Sequence, residues 1–160
     1  MINIKKILCP VDFFPASDKA VQYAAALAED YGAKIHLLHV VTPLLPVAQD
    51  FPMATVSVMK SVEEAAAAQM KKLVEKLRAR GADVTSKILT GDVHLLIERT
   101  IASVKPDLIV MGSHARSGVE RLFMGSVAEW LMRNSPVPVL VISEKQKITT
   151  PRSRRMRRVA

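Results

Sequence analysis

The stretch Asp107–Ile142, DLIVMGSHARSGVERLFMGSVAEWLMRNSPVPVLVI, decides the fold. It predicts an apolar strand, a loop rich in glycine and serine, a helix that begins near Gly125-Ser126, and a second apolar strand. Small residues stand at both ends of the loop, because GSHA at Gly112–Ala115 is followed by nine residues and then by Gly125-Ser126. Such a loop can turn backbone N–H groups toward an anion, and the helix N-terminus behind it favours negative charge. The pattern therefore indicates a phosphate site and points to a nucleotide.

The rest of the chain alternates predicted strands with predicted helices. A Pro-containing loop, 42–58, separates the second strand from a long helix that Ser61 and Glu64 are expected to open as a capping box. Gly32 is expected to end the first helix, and Asp92 to cap the third. The predicted strands are Lys6–Val11, Ala33–Val41, Val84–Leu89, Asp107–Met111 and Val137–Ile142, and the predicted helices are Ser17–Tyr31, Ser61–Arg80, His94–Val104 and Ser126–Asn134.

Most of these strands are short apolar runs without polar alternation, which implies burial on both faces. The sequence therefore predicts an α/β fold: a five-stranded parallel doubly wound open sheet with helices on both faces, Rossmann-like. Val84–Leu89 is the most polar strand and is expected near an edge. Ligands of such sheets bind beyond the carboxyl ends of the strands, at the switch point in strand order. Three loops would converge there, at Asp12–Ala16, Val41–Leu44 and Gly112–Gly125.

Composition is that of one globular domain with a basic tail. Of the 160 residues, 49% are hydrophobic and 24% are charged. The net charge is +8, but the last twelve residues hold five arginines and no acid, so it falls to +3 without them. We expect a domain at 1–144 and a disordered tail at 145–160. The tail is either a solvated segment or a weak contact for nucleic acid.

Several features bear on location and on metal binding. No apolar run is long enough to span a membrane and no secretory signal is recognised, so a cytoplasmic protein without membrane contact is expected. The single cysteine, Cys9, is expected to be a buried thiol. His36 and His39 are three apart on a strand, face opposite sides and make a poor metal pair, so no metal site is predicted. His94 is expected to be solvated, and the residues expected in the core or at an interface are Met124, Trp130 and Met132.

Four segments, in order and spacing, resemble the universal stress protein family. They are CPVDFFPASDKAV near the start, LLHVV in the second strand, GD at 91–92, and MGSHARSGVERLFMGSVAEWLMRNSPVPVLVI. The resemblance covers about Lys5 to Ser143. Nucleotide-binding members of the family wrap ATP phosphates with G-x-x-G, nine residues, then G-[ST]. Gly112, Gly125 and Ser126 match this pattern, and Ala115 replaces its second glycine.

The resemblance implies a role for each matching residue. Asp12 would lie near the adenine or ribose, and the backbone of Val40 or Val41 would lie against the adenine edge. Gly125 and Ser126 would line the phosphate channel with Gly112, and the Ser126 hydroxyl would reach the terminal phosphates. Mg²⁺ would accompany ATP. The predicted nucleotide-binding residues are Pro10, Val11, Asp12, Val40, Val41, Met111, Gly112, Ser113, His114, Ala115, Arg116, Gly125, Ser126 and Val127.

Other interpretations of these residues stay open. Asp12 is equally suited to capping the helix that follows it, and Gly125-Ser126 to forming only a turn and a helix cap. Ala115 weakens ATP binding if the family glycine has a positive φ, since alanine then costs about 1–2 kcal/mol. In a right-handed conformation it changes almost nothing.

Two functions follow from the sequence and the resemblance. The first is an ATP-binding, nucleotide-responsive regulatory protein of the stress response, and the alternative is a dimeric interaction module of the same fold that binds no nucleotide. An enzyme is not expected, because no lysine accompanies the glycine loop and Asp12 is the one carboxylate expected at the switch point, although slow ATP hydrolysis is compatible with the pattern. In the strand order of the family, the apolar strand Val137–Ile142 would lie at a sheet edge, and related proteins dimerise by that strand. The resemblance therefore implies a homodimer through Val137–Ile142.

Overall fold

Strands and helices alternate along the chain, and their bounds agree with the predicted ones within two residues, except at the start of the long helix. The computed structural model describes residues 2–43, 52–113 and 125–146, and of 52–55 the backbone alone. The strands are β1 (Lys6–Pro10), β2 (Lys34–Val41), β3 (Val84–Thr90), β4 (Leu108–Gly112) and β5 (Val139–Ile142). The helices are α1 (Pro15–Tyr31), α2 (Pro52–Arg78), α3 (Val93–Val104) and α4 (Ser126–Asn134).

The five strands form one parallel sheet in the order β3-β2-β1-β4-β5. The chain runs from β1 outward to β2 and β3, then returns to the other side of β1 and runs outward through β4 and β5. The strand order therefore reverses between β1 and β4, which is the switch point of a doubly wound sheet. The predicted fold class is confirmed, and β3 lies at an edge as expected.

Helices cover both faces of the sheet, and each face has its own apolar core. Helices α1 and α2 pack on one face, against strand residues that include Ile7 and Ile35. Helices α3 and α4 pack on the other, against residues that include Leu8 and Leu38. Neighbouring residues of one strand thus point into different cores, which explains why the strands are apolar throughout.

Cys9 lies in β1, the central strand, and is fully buried. Burial raises the pKa of its thiol to about 12, because the thiolate would lose its hydration there. The expectation of a buried thiol in the first strand is confirmed.

The long helix α2 begins at Pro52, nine residues before the predicted start at Ser61. Ser61 Oγ donates to the carbonyl of Ser57 at 3.1 Å, a bond within the helix, so the predicted capping box with Glu64 is wrong. Glu64 instead pairs with Lys60 one turn earlier, at 4.0 Å. A proline suits the first position of a helix, where its missing N–H has no intrahelical partner to lose. Among the described residues, α2 included, no helix has the length and apolarity needed to cross a membrane.

Two predicted helix caps are confirmed. Gly32 ends α1 with φ of 67°, and its N–H donates to the carbonyl of Ala28. Asp92 begins α3, and its Oδ1 accepts from the N–H of Leu95 at 2.9 Å. Residues 147–160 lie outside the described part, so the predicted boundary between domain and tail stays a prediction.

Candidate functional site

A cavity of about 530 Å³ opens at the carboxyl ends of β1, β2 and β4, at the switch point of the sheet. Its wall is built from the loop after β1, the end of β2, and the first turns of α3 and α4. The predicted nucleotide-binding residues in this wall are Pro10, Val11, Asp12, Val40, Met111, Gly112, Gly125, Ser126 and Val127. The sequence and the sheet topology therefore lead to the same place.

Five predicted residues are not among the described residues of this wall. Val41 and Ser113 are described but do not line the cavity. His114, Ala115 and Arg116 lie outside the described residues. The question of the φ angle at Ala115 therefore stays open.

The register of β2 decides which residue at its end faces the cavity. The N–H of Val11 donates to the carbonyl of Leu38 at 2.8 Å, so the backbone of Leu38 faces β1. Val40, two residues on, faces the same side beyond the end of β1, where no strand lies beside it. The carbonyl of Val41 faces β3 instead and accepts from the N–H of Gly91 at 3.0 Å. Of the two residues left open by the sequence, only Val40 turns its backbone toward the cavity.

Asp12 organises the turn between β1 and α1. Its Oδ1 accepts from the N–H of Phe14 at 3.0 Å, and its own N–H donates to Ser17 Oγ at 3.2 Å. Phe14 is the N-cap residue of α1, so the carboxylate bonds to the cap residue and not to an amide of the first helical turn. The capping role left open for Asp12 is therefore not realised, and its exposed carboxylate stands at the mouth of the cavity.

A histidine on β2 supports the same turn. His39 lines the cavity, and its Nδ1 lies 2.7 Å from the carbonyl oxygen of Val11, to which it donates as the Nδ1–H tautomer. Its ring packs against Phe13, with centroids 4.6 Å apart. Phe13 has φ of 63°, an unusual conformation for a bulky residue, and this ring contact helps to hold it there.

The other strand histidine belongs to a different environment. His36 Nδ1 lies 2.8 Å from Thr85 Oγ1 on β3. Partial burial lowers the pKa of His36, and the positive charges of Lys34 and Lys6 act in the same direction. Within the ranges that the structure describes, no three His, Cys, Asp or Glu side chains form a group suited to a metal ion.

Gly112 has a packing role of its own at the end of β4. A Cβ atom on Gly112 would lie 2.7 Å from the carbonyl carbon of Ala16 and 2.7 Å from the backbone nitrogen of Ser17. Real Cβ atoms do not approach backbone so closely, so a glycine is needed for the first turn of α1 to rest against β4. Its place in the glycine pattern thus has a structural reason as well.

Gly125 begins α4 without a side-chain cap. Its N–H donates to the carbonyl of Ser113 at 3.2 Å, which ties together the two ends of the loop between them. Its own carbonyl accepts the first helical bond, from Glu129 at 3.0 Å. The N–H groups of the first turn therefore have no intrahelical acceptor. All three residues that carry them line the cavity: Ser126, Val127 and Ala128.

The wall is divided into an apolar part and a polar part. The apolar part comes from β2, α3 and β4, and includes Val40, Ile97 and Met111. The polar part comes from Asp12, Ser17 and the N-terminus of α4. Among the described residues of the wall, Asp12 carries the one formal charge and neither lysine nor arginine occurs. Hydrogen bonding to an anion would therefore rest on backbone N–H groups and hydroxyls.

The sequence missed part of this wall, namely Ser17, Leu38, His39, Thr42, Val93, Ile97 and Ala128. The apolar residues among them follow the same periodicity as core residues, so no sequence signal separates them. Thr42 is a polar residue just beyond β2 at the predicted ligand edge, and that position alone is a usable signal. Ser17 lies in the first turn of α1, and its place in the wall follows from how that helix packs.

His94 is placed differently from its prediction. It is half-buried on α3, and its ring packs against Trp130 of α4 with centroids 4.9 Å apart. Its Nε2 is buried and has no hydrogen-bond partner among the described residues. The prediction of a solvated first-turn residue is wrong, because α4 covers that side of α3. Trp130 packs against the core as predicted, Met132 is 56% exposed, and Met124 lies outside the described residues.

Known proteins share this sequence pattern and this fold. Residues 3–143 match the model of the universal stress protein family. The chain is 30% identical over 146 residues to Universal stress protein MJ0531 of Methanocaldococcus jannaschii, covering 89% of this chain and 84% of that one. The solved structure of MJ0577 from the same organism superposes with a TM-score of 0.77 at 27% identity, covering 90% and 99% of the two chains.

A plant member has the same fold with a nucleotide in place. The Arabidopsis thaliana universal stress protein family protein At3g01520, solved with AMP bound, superposes with a TM-score of 0.62 at 21% identity. The match covers 87% of this chain and 91% of that one. At this identity the likeness concerns the fold alone. The family model spans nearly the whole chain, and a relative at 30% identity covers 89% of it, so this chain belongs to the universal stress protein family.

Proposed function

We propose that this protein binds ATP in the cavity at the switch point and acts as a nucleotide-responsive regulatory protein of the stress response. The observation that carries the proposal is the N-terminus of α4, which has no side-chain cap among the described residues and whose first-turn residues line a cavity of about 530 Å³. Free N–H groups and the helix dipole together favour a phosphate at that position. The AMP bound to the Arabidopsis relative supports a nucleotide in this fold.

The division of the wall suits the two halves of a nucleotide. The base would lie on the apolar side, with its polar edge toward the backbone of Val40. The phosphates would lie at the first turn of α4, where the Ser126 hydroxyl adds a donor. Asp12, at the mouth, would bind a ribose hydroxyl or a cation.

Mg²⁺ fits as a companion of ATP. Mg²⁺ sites commonly use one or two carboxylates together with phosphate oxygens and water, so a single carboxylate is compatible with such a site. Asp12 supplies that carboxylate, and its Oδ1 already bonds to Phe14. The ion would partly neutralise the phosphates in a wall whose described residues include neither lysine nor arginine.

We propose binding without efficient catalysis. Phosphoryl transfer needs a positioned base or nucleophile and cationic groups around the γ-phosphate. The carboxylate of Asp12 already accepts a hydrogen bond from Phe14 in the turn before α1, which makes it a weaker general base. Any hydrolysis of bound ATP is accordingly proposed to be slow.

Calorimetric titration of nucleotide-stripped protein with ATP and Mg²⁺ tests the proposal. Gly125→Val is the informative variant, because Gly125 has φ of −58° and ψ of 145°, which valine can adopt, while its side chain would occupy the phosphate end of the cavity. Gly112→Val is a poor probe, since its Cβ would disturb α1 whatever the ligand does. Micromolar binding that Gly125→Val removes supports the proposal. Wild-type protein that binds no ATP at millimolar concentration overturns it.

A second function remains favoured by two observations. Ala115 replaces a glycine of the ATP pattern, and the described wall of the cavity carries neither lysine nor arginine to attract phosphates. An interaction module without nucleotide would have both features. It would keep its fold and its partners unchanged when ATP is added or removed.

The proposed assembly is a homodimer through the last strand. β5 lies at an edge of the sheet, and Leu140 in it is 36% exposed. An apolar edge strand is a template for pairing with a second copy. Sedimentation at micromolar concentration tests this, and a monomer would contradict it. Contact of the arginine-rich tail with nucleic acid and a cytoplasmic location stay predictions from the sequence.

A further inference from the structure

Two polar side chains are buried in the described part of the chain, and they differ in how their hydroxyl groups are used. Thr100 in α3 donates its hydroxyl proton to the carbonyl of Leu96 at 2.7 Å. Ser17 in α1 is 3% exposed and lines the cavity. Its oxygen accepts from the N–H of Asp12 at 3.2 Å. The Thr100 hydroxyl therefore donates its proton within its own helix, whereas the Ser17 hydroxyl accepts a hydrogen bond from Asp12.

The hydroxyl proton of Ser17 has no acceptor among the described residues. A serine hydroxyl has one proton to donate and two lone pairs that accept. Among the residues that the structure describes, the bond from Asp12 is the one hydrogen bond of the Ser17 side chain. A buried donor without an acceptor is unfavourable, so such donors normally find one. A ligand that enters this cavity would gain most if it offered an acceptor to Ser17.

Ser17 lies beside the proposed phosphate end of the cavity. Its backbone nitrogen is so close to Gly112 that a Cβ there would approach to 2.7 Å. The next residue, Ser113, accepts the N–H of Gly125, the cap residue of α4, at 3.2 Å. The first turns of α1 and α4 therefore flank the end of β4. A phosphate at the N-terminus of α4 would lie within the same polar part of the wall as Ser17.

We propose that Ser17 donates its hydroxyl proton to a phosphate oxygen of the bound nucleotide. This inference rests on the proposed function, because it requires a nucleotide in the cavity. Ionised phosphate oxygens are hydrogen-bond acceptors, which matches a side chain with a proton to give. The first turn of α1 then contributes a second hydrogen-bond donor to the phosphate site, beside the N-terminus of α4.

A purely structural role for Ser17 makes a different prediction. If Ser17 only holds the backbone of Asp12, its loss disturbs the turn before α1. That disturbance would weaken every ligand that touches the turn, whether or not it carries phosphates. Comparing ATP with adenosine therefore separates the two roles.

The test is titration of ATP with Mg²⁺, and of adenosine, into wild type, Ser17→Ala and Thr100→Val. Thr100→Val is the matched control, since it also removes a buried hydroxyl from a helix but lies outside the cavity wall. Loss of a bond to a charged group predicts ATP binding at least about tenfold weaker in Ser17→Ala. Adenosine binding is expected to change by less than about threefold, and Thr100→Val to leave both affinities unchanged.

Each other outcome overturns the inference. If Ser17→Ala weakens the binding of ATP and adenosine equally, Ser17 only stabilises the turn before α1. If its ATP affinity is unchanged, Ser17 does not contact the phosphates. A wild type that binds neither ligand overturns the proposed function and this inference with it. If Ser17→Ala fails to fold, Ser17→Cys keeps the shape of the side chain with a somewhat larger atom and a weak donor, and it is expected to show the same selective loss of ATP affinity.

Discussion

Helices α3 and α4 both begin at the carboxyl edge of the sheet and both border the cavity, but their N-termini differ. α3 begins at Asp92, whose carboxylate accepts from the N–H of Leu95 at 2.9 Å. α4 begins at Gly125, which has no side chain to offer. Among the described residues, the helix end is therefore capped by a side chain in α3 and has no such cap in α4. The difference matches the proposed roles, in which α3 supports the wall and α4 binds the phosphates.

The largest change in ATP affinity is expected when α4 is given an aspartate N-cap like that of α3. In Gly125→Asp, a carboxylate would accept from the first-turn N–H groups and would also repel phosphates. We expect ATP binding to weaken by about a hundredfold or more, because bonds to a charged group are lost and a like charge is added. Calorimetry with ATP measures this.

Gly125→Ala is the control for that variant, since it adds a methyl group without an acceptor. It should weaken ATP binding far less than Gly125→Asp does. If both variants bind ATP like the wild type, the open N-terminus of α4 is not the phosphate site.

A smaller effect, on stability, is expected when the N-cap of α3 is removed. Asp92→Ala removes the capping acceptor and should lower the free energy of unfolding by about 1 kcal/mol. ATP affinity should change little, because the capped end of α3 is not proposed to bind phosphate. Urea unfolding and ATP titration of the same variant measure the two quantities. Asp92→Asn, which keeps an acceptor, should retain most of the stability, and a large loss of ATP affinity in Asp92→Ala would contradict the assigned difference.

The smallest effect concerns the contact between the two helices. His94→Phe keeps an aromatic ring against Trp130 and removes the buried Nε2 that has no described partner. The aromatic pair persists while an unsatisfied polar atom is lost, so stability should rise by up to about 1 kcal/mol. Thermal unfolding measures the change, with His94→Ala as the variant that loses the ring as well. A lower melting temperature in His94→Phe would mean that the imidazole has a favourable partner.

Much of the fold was predictable because its signals are local. Five short apolar runs separated by helical patterns imply a parallel sheet with two covered faces, and Gly32 and Asp92 mark helix ends through their own chemistry. The start of α2 was not predictable in this way. Ser61 and Glu64 have the spacing of a capping box, but the same spacing occurs inside a helix, and the sequence does not distinguish the two.

The candidate site was predictable to the extent that it follows from strand ends and glycine spacing. The choice between Val40 and Val41 required the register of β2 and the point at which β1 stops, which are properties of strand pairing. Ser17 required the tertiary position of α1 against Gly112. His94 was misplaced because its surroundings come from α4, which lies 32 residues further along the chain.

Cys9 has a practical consequence for measuring how this fold opens. It is the single cysteine of the chain, it lies in the central strand, and its pKa of about 12 keeps it as an unreactive thiol while it is buried. Its side chain lies in the core beneath α1 and α2, so a thiol reagent can modify the native protein only when these helices move away from the sheet. The labelling rate reports the frequency of that opening without any engineered probe. A ligand held between β1 and β4 would slow it, so chemical modification of one atom would report occupancy of the cavity.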